Sequence, residues 1–303
     1  MTLRHFQIFT TVCDTMNMTA AANLLYMSQS AVSQAIAELE RHYDVCLFER
    51  LSRKLYLTEA GETLLGYARH IIRMNLDAEN EMRILNQSGK VRVGTSVTIG
   101  ACVLPSLAAA LIKKFPALSF EVTEDNTVHI EQLILQDKLD IGLVEGDIQS
   151  PDILCRPFAE DTLVLICGKS HPFAARRYIE PHELEKENFI LREIGSGTRK
   201  TFEEVMKQHG LSWTSTWTCN NADTIKAAVA EGIGVSVISG RAVQREVAAG
   251  LLCCIEIQGM IFTRQFKLVY HKNKYLTHAM KEFTSFCLKK EVLASCASQK
   301  TAP

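Results

Sequence analysis

The sequence predicts an α/β protein in three parts: a small N-terminal module of short helices closed by a strand hairpin, one long helix, and a larger two-lobed α/β region. Three observations carry this. Residues 3–42 hold apolar residues at helical spacing, whereas 45–57 (VCLFERLSRKLYL) read as two brief strands around a Ser-Arg-Lys turn. Helical sequence then runs without proline from Thr58 to about Asn86 and stops at Gln87-Ser88-Gly89. From Val91, apolar runs of strand length alternate with helical stretches, first to residue 144 and again from 162 to 238. Such alternation predicts βα units and mainly parallel sheets.

Length and composition agree with this division. A chain of 303 residues exceeds what one hydrophobic core fills. With 47% apolar residues and a net charge of -1, it reads as globular, neither disordered nor broadly basic. No stretch approaches 18 apolar residues, and the N-terminus lacks the uninterrupted apolar run of a secretion signal, so the expectation is a cytoplasmic protein with no membrane partner. The ten cysteines are irregularly spaced without a C-x-x-C and are expected to be reduced and mostly buried. The nine histidines stand singly. G-x-S-x-G, G-x-x-x-x-G-K-[ST] and H-E-x-x-H are absent, so no catalytic residues, metal or cofactor are expected, and the chain does not read as an enzyme.

Within the first module, MTAAANLLYMSQSAVSQAIAELE (residues 18–40) breaks into two helical runs at Met27-Ser28. Ala21, Ala22 and Leu25 share one side of the first run, and Val32, Ile36 and Leu39 share one side of the second. At 100° per residue, Ser30, Ser33, Gln34 and Ala37 fall roughly opposite that second stripe. An ordinary solvated face carries Lys and Glu. A neutral, small, hydrogen-bonding face suits a groove where base edges or phosphates are met and acidic or bulky groups are excluded. The pattern predicts a helix-turn-helix whose second helix enters the major groove of double-stranded DNA, with Arg50, Arg53 and Lys54 on the hairpin reaching phosphates as a wing. Five basic and five acidic residues cancel over residues 1–58, so positive charge must be gathered on one surface or binding must use two copies.

The stretch from Leu3 to Leu65 resembles the N-terminal region of LysR-type transcriptional regulators. The resemblance is carried by Leu3, Phe9, Ala21-Ala22, Leu25, Ser28-Gln29, Ala31-Val32-Ser33, Ile36, Leu39-Glu40, Leu47-Phe48-Glu49-Arg50 and Leu57-Thr58-Glu59-Ala60-Gly61, in the family's order. It extends through the C-terminal part at family scale. It implies a winged helix-turn-helix (1–58), a linker and dimerisation helix (59–88) and a two-lobed effector domain like periplasmic solute-binding proteins (89–303). Lobe 1 is expected at about 89–161 and 268–290, and lobe 2 at about 162–267. The family's pattern places Gln29, Ser30, Ser33, Gln34 and Arg53 on DNA. Ser30 stands where the family often has proline and Gln34 where it often has arginine, which removes one phosphate contact.

Leu64, Ala68, Ile71, Asn75, Ala78, Met82 and Leu85 alternate steps of four and three along the long helix, which predicts a coiled-coil seam and a homodimer. Family resemblance adds the expectation of a tetramer.

Two segments point to a small-molecule site. Ser96-Val97-Thr98 follows a strand and opens a helix, and Arg192-Glu193-Ile194-Gly195-Ser196-Gly197-Thr198-Arg199 repeats the arrangement in the second series. Hydroxyls and free N–H groups at helix starts favour an anion, and Arg192 or Arg199 adds charge. The second segment resembles the R-E-x-G-S-G-T-R stretch of the family branch that includes regulators of sulfur assimilation and carbon fixation. Together these features predict a small anionic effector held between the lobes by Ser96, Val97, Thr98, Arg192, Ser196, Gly197 and Thr198. Asn126-Thr127 and Asn221 head further helices and are weaker candidates. Two other readings compete: a free-standing solute-binding protein, against which the N-terminal module argues, and a thiol-based redox regulator using Cys219 or Cys253-Cys254.

Overall fold

A computed structural model describes residues 1–51, 54–84, 89–116 and 118–289. These fall into two compact units, Met1–Gln87 with the short segments Leu135–Asp137 and Asn273–Thr277, and Ser88–Ile134 with Lys138–Lys272 and the stretch from His278.

The first unit contains α1 (Leu3–Thr15), α2 (Met18–Leu24), α3 (Gln29–Tyr43), the hairpin β1 (Phe48–Leu51) and β2 (Lys54–Leu57), and α4 (Glu59–Ile84). Short polar side chains set the helix starts by accepting from otherwise unpaired N–H groups. Asn17 Oδ1 accepts from Thr19 and Ala20, Ser28 Oγ from Ala31, and Thr58 Oγ1 from Gly61. The turn from α2 into α3 passes through Tyr26, whose φ of 53° is left-handed and whose ring is exposed. Phe6, Phe9, Val12, Ala22, Val32, Ile36, Leu39 and Leu47 form one core, each large side chain contributing about 1.5 to 3 kcal/mol. At Gly61 any Cβ would collide with the Leu47 carbonyl oxygen, so glycine lets α4 close on the hairpin.

One element of the seam is corrected here. Ala68 is fully buried in this core and Leu64 packs against it, so both serve the module's own interior, where α1 lies along α4. The exposed apolar stripe of α4 is instead Tyr67, Ile71, Met74, Ala78 and Met82. Asn75 is half-buried, its Nδ2 donating to Glu79 at 2.9 Å, and Leu85 lies outside the described residues.

The second unit begins with β3 (Lys90–Ser96), α5 (Val97–Cys102), α6 (Leu104–Lys114), β4 (Ser119–Asp125), α7 (Thr127–Leu135) and β5 (Ile141–Val144). The strand β6 (Ile153–Gly168) leads to β7 (Tyr178–Ile179), β8 (Asn188–Arg192), α8 (Gly197–Gln208), β9 (Thr214–Cys219), α9 (Ala222–Ala230) and β10 (Ser236–Ser239). The chain continues through α10 (Gln244–Ala248), β11 (Leu252–Ile257), β12 (Phe262–His271) and α11 (His278–Cys287).

An eight-stranded sheet in the order β4-β3-β5-β12-β6-β11-β7, with β10 also on β6, runs through both lobes. The expectation of mainly parallel sheets holds for β3 with β4 and β5 and for β8 with β9, but the centre is antiparallel. The reason is that both connections between the lobes are themselves strands: β6 runs out and β12 returns, paired from Phe262–Leu163 to His271–Ile153 with a register shift between Phe266 and Lys267. Leu163, Phe189, Phe202 and Phe262 centre the second lobe's core. In the first lobe, Leu139 and Ile130 close so tightly over Gly94 that a Cβ there would lie 2.5 and 2.9 Å from their methyls.

Candidate functional site

In the first unit, α3 buries Val32, Ala35, Ile36 and Leu39 and leaves Gln29, Ser30, Gln34 and Ala37 exposed, with Ser33 half-buried. Gln29 Nε2 donates to Ser33 Oγ at 2.8 Å, and the Ser28 and Ser30 hydroxyls lie 3.0 Å apart. Gln34 Nε2 donates to Glu38, which His5 also holds at 2.8 Å. These bonds, led by that from His5, keep the Glu38 carboxyl below its ordinary pKa. Gln29, Asn17 and Thr19 line one recess of about 680 Å³ with Arg50 and Lys54 from the hairpin, so helix and wing face a common space. Arg53 lies outside the described residues.

In the second unit the two hydroxyl-bearing segments come together on a residue that sequence reasoning missed. Arg264 of β12 is buried, donating from Nη1 to Thr198 Oγ1 at 2.8 Å and from Nη2 to Thr98 Oγ1 at 3.2 Å. Its Nε donates to Asp161 Oδ2 at 2.9 Å, Nη2 lies 2.8 Å from that same oxygen, and Glu145 Oε1 lies 3.6 Å from Nη1. Ser239 Oγ donates to the other Asp161 oxygen.

Ser96 and Ser196, at the N-caps of α5 and α8, are both buried, and neither hydroxyl caps its helix or meets any other partner. The lobes approach closely: a Cβ on Gly197 would lie 2.6 Å from the Gly146 nitrogen and 2.9 Å from Glu145 Cγ. Two recesses flank this approach. One of about 340 Å³ includes Glu145, Arg264, Lys200 and Lys267, and the other, about 330 Å³, includes Thr127, Ser196, Gly197 and Arg199.

The remaining sequence candidates lie around this approach, most of them with partners inside the fold. Arg192 is buried with a two-pronged bond to its neighbour Glu193, at 2.8 and 2.9 Å. Thr127 Oγ1 accepts from Gly146 at 3.2 Å, while Asn126 and Asn221 cap their own helices. Val97 is half-buried at the start of α5.

The cysteines depart from expectation. Cys167, Cys219 and Cys287 are buried, but Cys46, Cys155 and Cys254 are exposed. Burial pushes the thiols of Cys219 and Cys254 up and that of Cys167 up to about 12, which disfavours the nucleophilic thiolate. Among the described residues no group of three or more His, Cys, Asp or Glu is arranged to hold a metal ion, and no helix is long and apolar enough to cross a membrane.

A helix-turn-helix module with a wing, a long helix, and two lobes meeting at a polar cleft define a transcriptional regulator that reads DNA and answers to a small molecule. Residues 3–62 match the bacterial regulatory helix-turn-helix proteins of the lysR family, and 86–291 match the LysR substrate binding domain. The chain belongs to the LysR family of transcriptional regulators. It is 32% identical over 286 residues to the uncharacterized HTH-type transcriptional regulator YeiE of Escherichia coli K12, covering 94% of this chain and 97% of that one. It is 31% identical to a probable RuBisCO transcriptional regulator of Chlorokybus atmophyticus, over 91% of this chain and 89% of the relative, in keeping with the carbon-fixation side of the family. Among solved structures, the Synechocystis PCC6803 CcmR regulatory domain in complex with 2-PG is similar with a TM-score of 0.62 and 25% identity, covering 71% of this chain and all of that one.

Proposed function

We propose that this regulator is a cytoplasmic, dimeric DNA-binding protein whose effector is a small anion held between the two lobes. One observation carries the anion reading: Thr98 and Thr198, from different lobes, meet on the buried Arg264 guanidinium, beside two buried serine hydroxyls with no partner. Unmade hydrogen bonds in a buried site cost about 1 to 3 kcal/mol each, which an oxyanion accepting from Ser96 and Ser196 recovers. The positive end of α8, a 12-residue helix, adds about 0.3 to 2 kcal/mol. The similar CcmR domain was solved with 2-PG, which is consistent with a small polar ligand in such a cleft. An anion seated there favours one arrangement of the lobes and so shifts the population that binds DNA productively.

On the DNA side, Gln29, Ser30, Ser33 and Gln34 meet base edges, and Arg50, Arg53 and Lys54 meet phosphates. Calorimetric titration of the full chain with sulfite, sulfate, thiosulfate, phosphate and small carboxylates tests the cleft. Binding that weakens about 10-fold or more in Ser96→Ala and Ser196→Ala is expected. An apolar aromatic compound binding more tightly than every anion, with both variants unaffected, overturns the anion reading.

A further inference from the structure

Two glutamines on the outer face of α3 are each tied to the side chain one turn further on, Gln29 to Ser33 and Gln34 to Glu38. The two ties differ in kind. A serine hydroxyl donates or accepts, so either end of the Gln29 amide can satisfy Ser33. An ionised carboxylate only accepts, so Gln34 must turn its nitrogen toward Glu38, and Nε2 lies 3.0 Å from Oε1.

Glu38 is itself anchored from another helix. His5 on α1 accepts the Thr2 backbone N–H at Nδ1, at 3.2 Å, so its own proton sits on Nε2, which donates to Glu38 Oε2 at 2.8 Å. The bond from His5 first, then that from Gln34, and the charge of Arg41 favour the ionised carboxylate. A charged acceptor holds its donors more firmly than a neutral one. Turning the Gln34 amide over would set its carbonyl oxygen against that carboxylate, a repulsion that grows as a DNA groove displaces the water around it.

With its nitrogen held in this way, Gln34 leaves its carbonyl oxygen and its second N–H unclaimed among the described residues. The exposed end of the side chain is therefore an acceptor next to a donor. In the major groove adenine offers the complement, a donor at N6 and an acceptor at N7, whereas guanine offers two acceptors.

We propose that Glu38 is a positioning residue that fixes Gln34 as a reader of adenine, so that an A·T pair is preferred where Gln34 meets the operator. This rests on the reading that Gln34 meets a base edge and adds which base it selects.

The experiment is selection of bound duplexes from a random DNA library by the full chain, read by sequencing, for the wild type, Gln34→Ala, Glu38→Gln and Glu38→Ala. Gln34→Ala locates the base pair, as the one whose preference flattens. At that pair the wild type should favour A·T by about tenfold or more. Glu38→Gln keeps the length of the side chain and changes its chemistry: His5 claims the introduced carbonyl, and the introduced amide nitrogen takes the carbonyl oxygen of Gln34. Gln34 then presents only N–H groups, and the preference at that pair passes to G·C. Glu38→Ala frees the amide to turn either way, so the preference there flattens. Both variants keep their preferences at the other positions, whereas a merely structural role for Glu38 would weaken the whole site alike. Any pair other than A·T in the wild type, or an A·T preference kept in either Glu38 variant, overturns the inference while leaving the recognition face intact. If no base pair responds to Gln34→Ala, the base contact of Gln34 and this inference fall together.

Discussion

Arg264 and Asp161 stand directly opposite one another where the strands joining the two lobes pair, and the guanidinium bonds the carboxylate at 2.8 and 2.9 Å. Both are almost fully buried. Removing one partner of such a pair leaves the other charge stranded, at a cost of about 3 to 5 kcal/mol. Asp161→Asn should therefore lower the urea midpoint of the effector unit markedly. The double change Arg264→Met with Asp161→Leu should cost clearly less than the sum of the single changes, because no charge is left behind.

A carboxylate on the outer face of α3 should weaken specific recognition. Ser33→Glu loses the bond from Gln29 and sets a negative charge toward base edges or phosphates, weakening operator binding by roughly 10- to 100-fold. Footprints of the variant with unchanged affinity and sequence preference would reassign the recognition face.

The hairpin cations act differently. Arg50→Ala and Lys54→Ala should weaken binding to all sequences alike and each reduce the slope of log affinity against log salt by about 1. A selective loss at the operator, with no change in that slope, would show that they contact bases.

On α4, two substitutions separate the interior stripe from the exposed one. If the proposed dimer forms through this stripe, Ile71→Asp should give monomers in sedimentation while the helix content stays intact. Ala68→Asp, in the module's own core, should unfold the N-terminal unit instead. A dimer that survives Ile71→Asp moves the interface elsewhere.

Glu145 leaves a signature in the absence of ligand. Burial raises its folded-state pKa above the ordinary 4.5, so the folded protein holds the extra proton, and stability is lost as pH climbs from that value through the folded pKa. Glu145→Gln removes this dependence. Its melting temperature relative to wild type should rise from pH 5 to pH 8, and a constant difference would mean that Glu145 titrates normally.

The three-part organisation, the helix-turn-helix and the two hydroxyl-bearing turns are all local patterns, and local patterns are legible in a sequence. The phase of the α4 seam was not, because Leu64-Ala68 and Tyr67-Ile71-Met74 both satisfy helical spacing, and only the packing of α1 decides which stripe is interior. Arg264 left a readable trace: in FTRQF the positions of Phe262 and Phe266 point inward, and the residue between them on that face is an arginine. A cation at an inward position of a strand demands a buried partner. Glu145 and Asp161 left no such trace. Each is one acid beside another, Glu145 near Asp147 and Asp161 after Glu160, and takes its meaning from Arg264, more than 100 residues away in the chain.

The register shift between Phe266 and Lys267 sets how the lobes can respond to an effector. Strands β6 and β12 are bonded to each other on both sides of it, from Phe262 to His271, so the lobes are two ends of one woven plate with a single crease. Wide gaping would tear rungs from that ladder, whereas a small twist about the crease leaves them whole. For an effector seated in the proposed cleft, the message is then a torque of limited throw. A ligand that strengthens the bonds across the crease stiffens the plate, and one that competes for Thr98 or Thr198 loosens it. Two ligands of equal affinity can therefore drive the same operator in opposite directions.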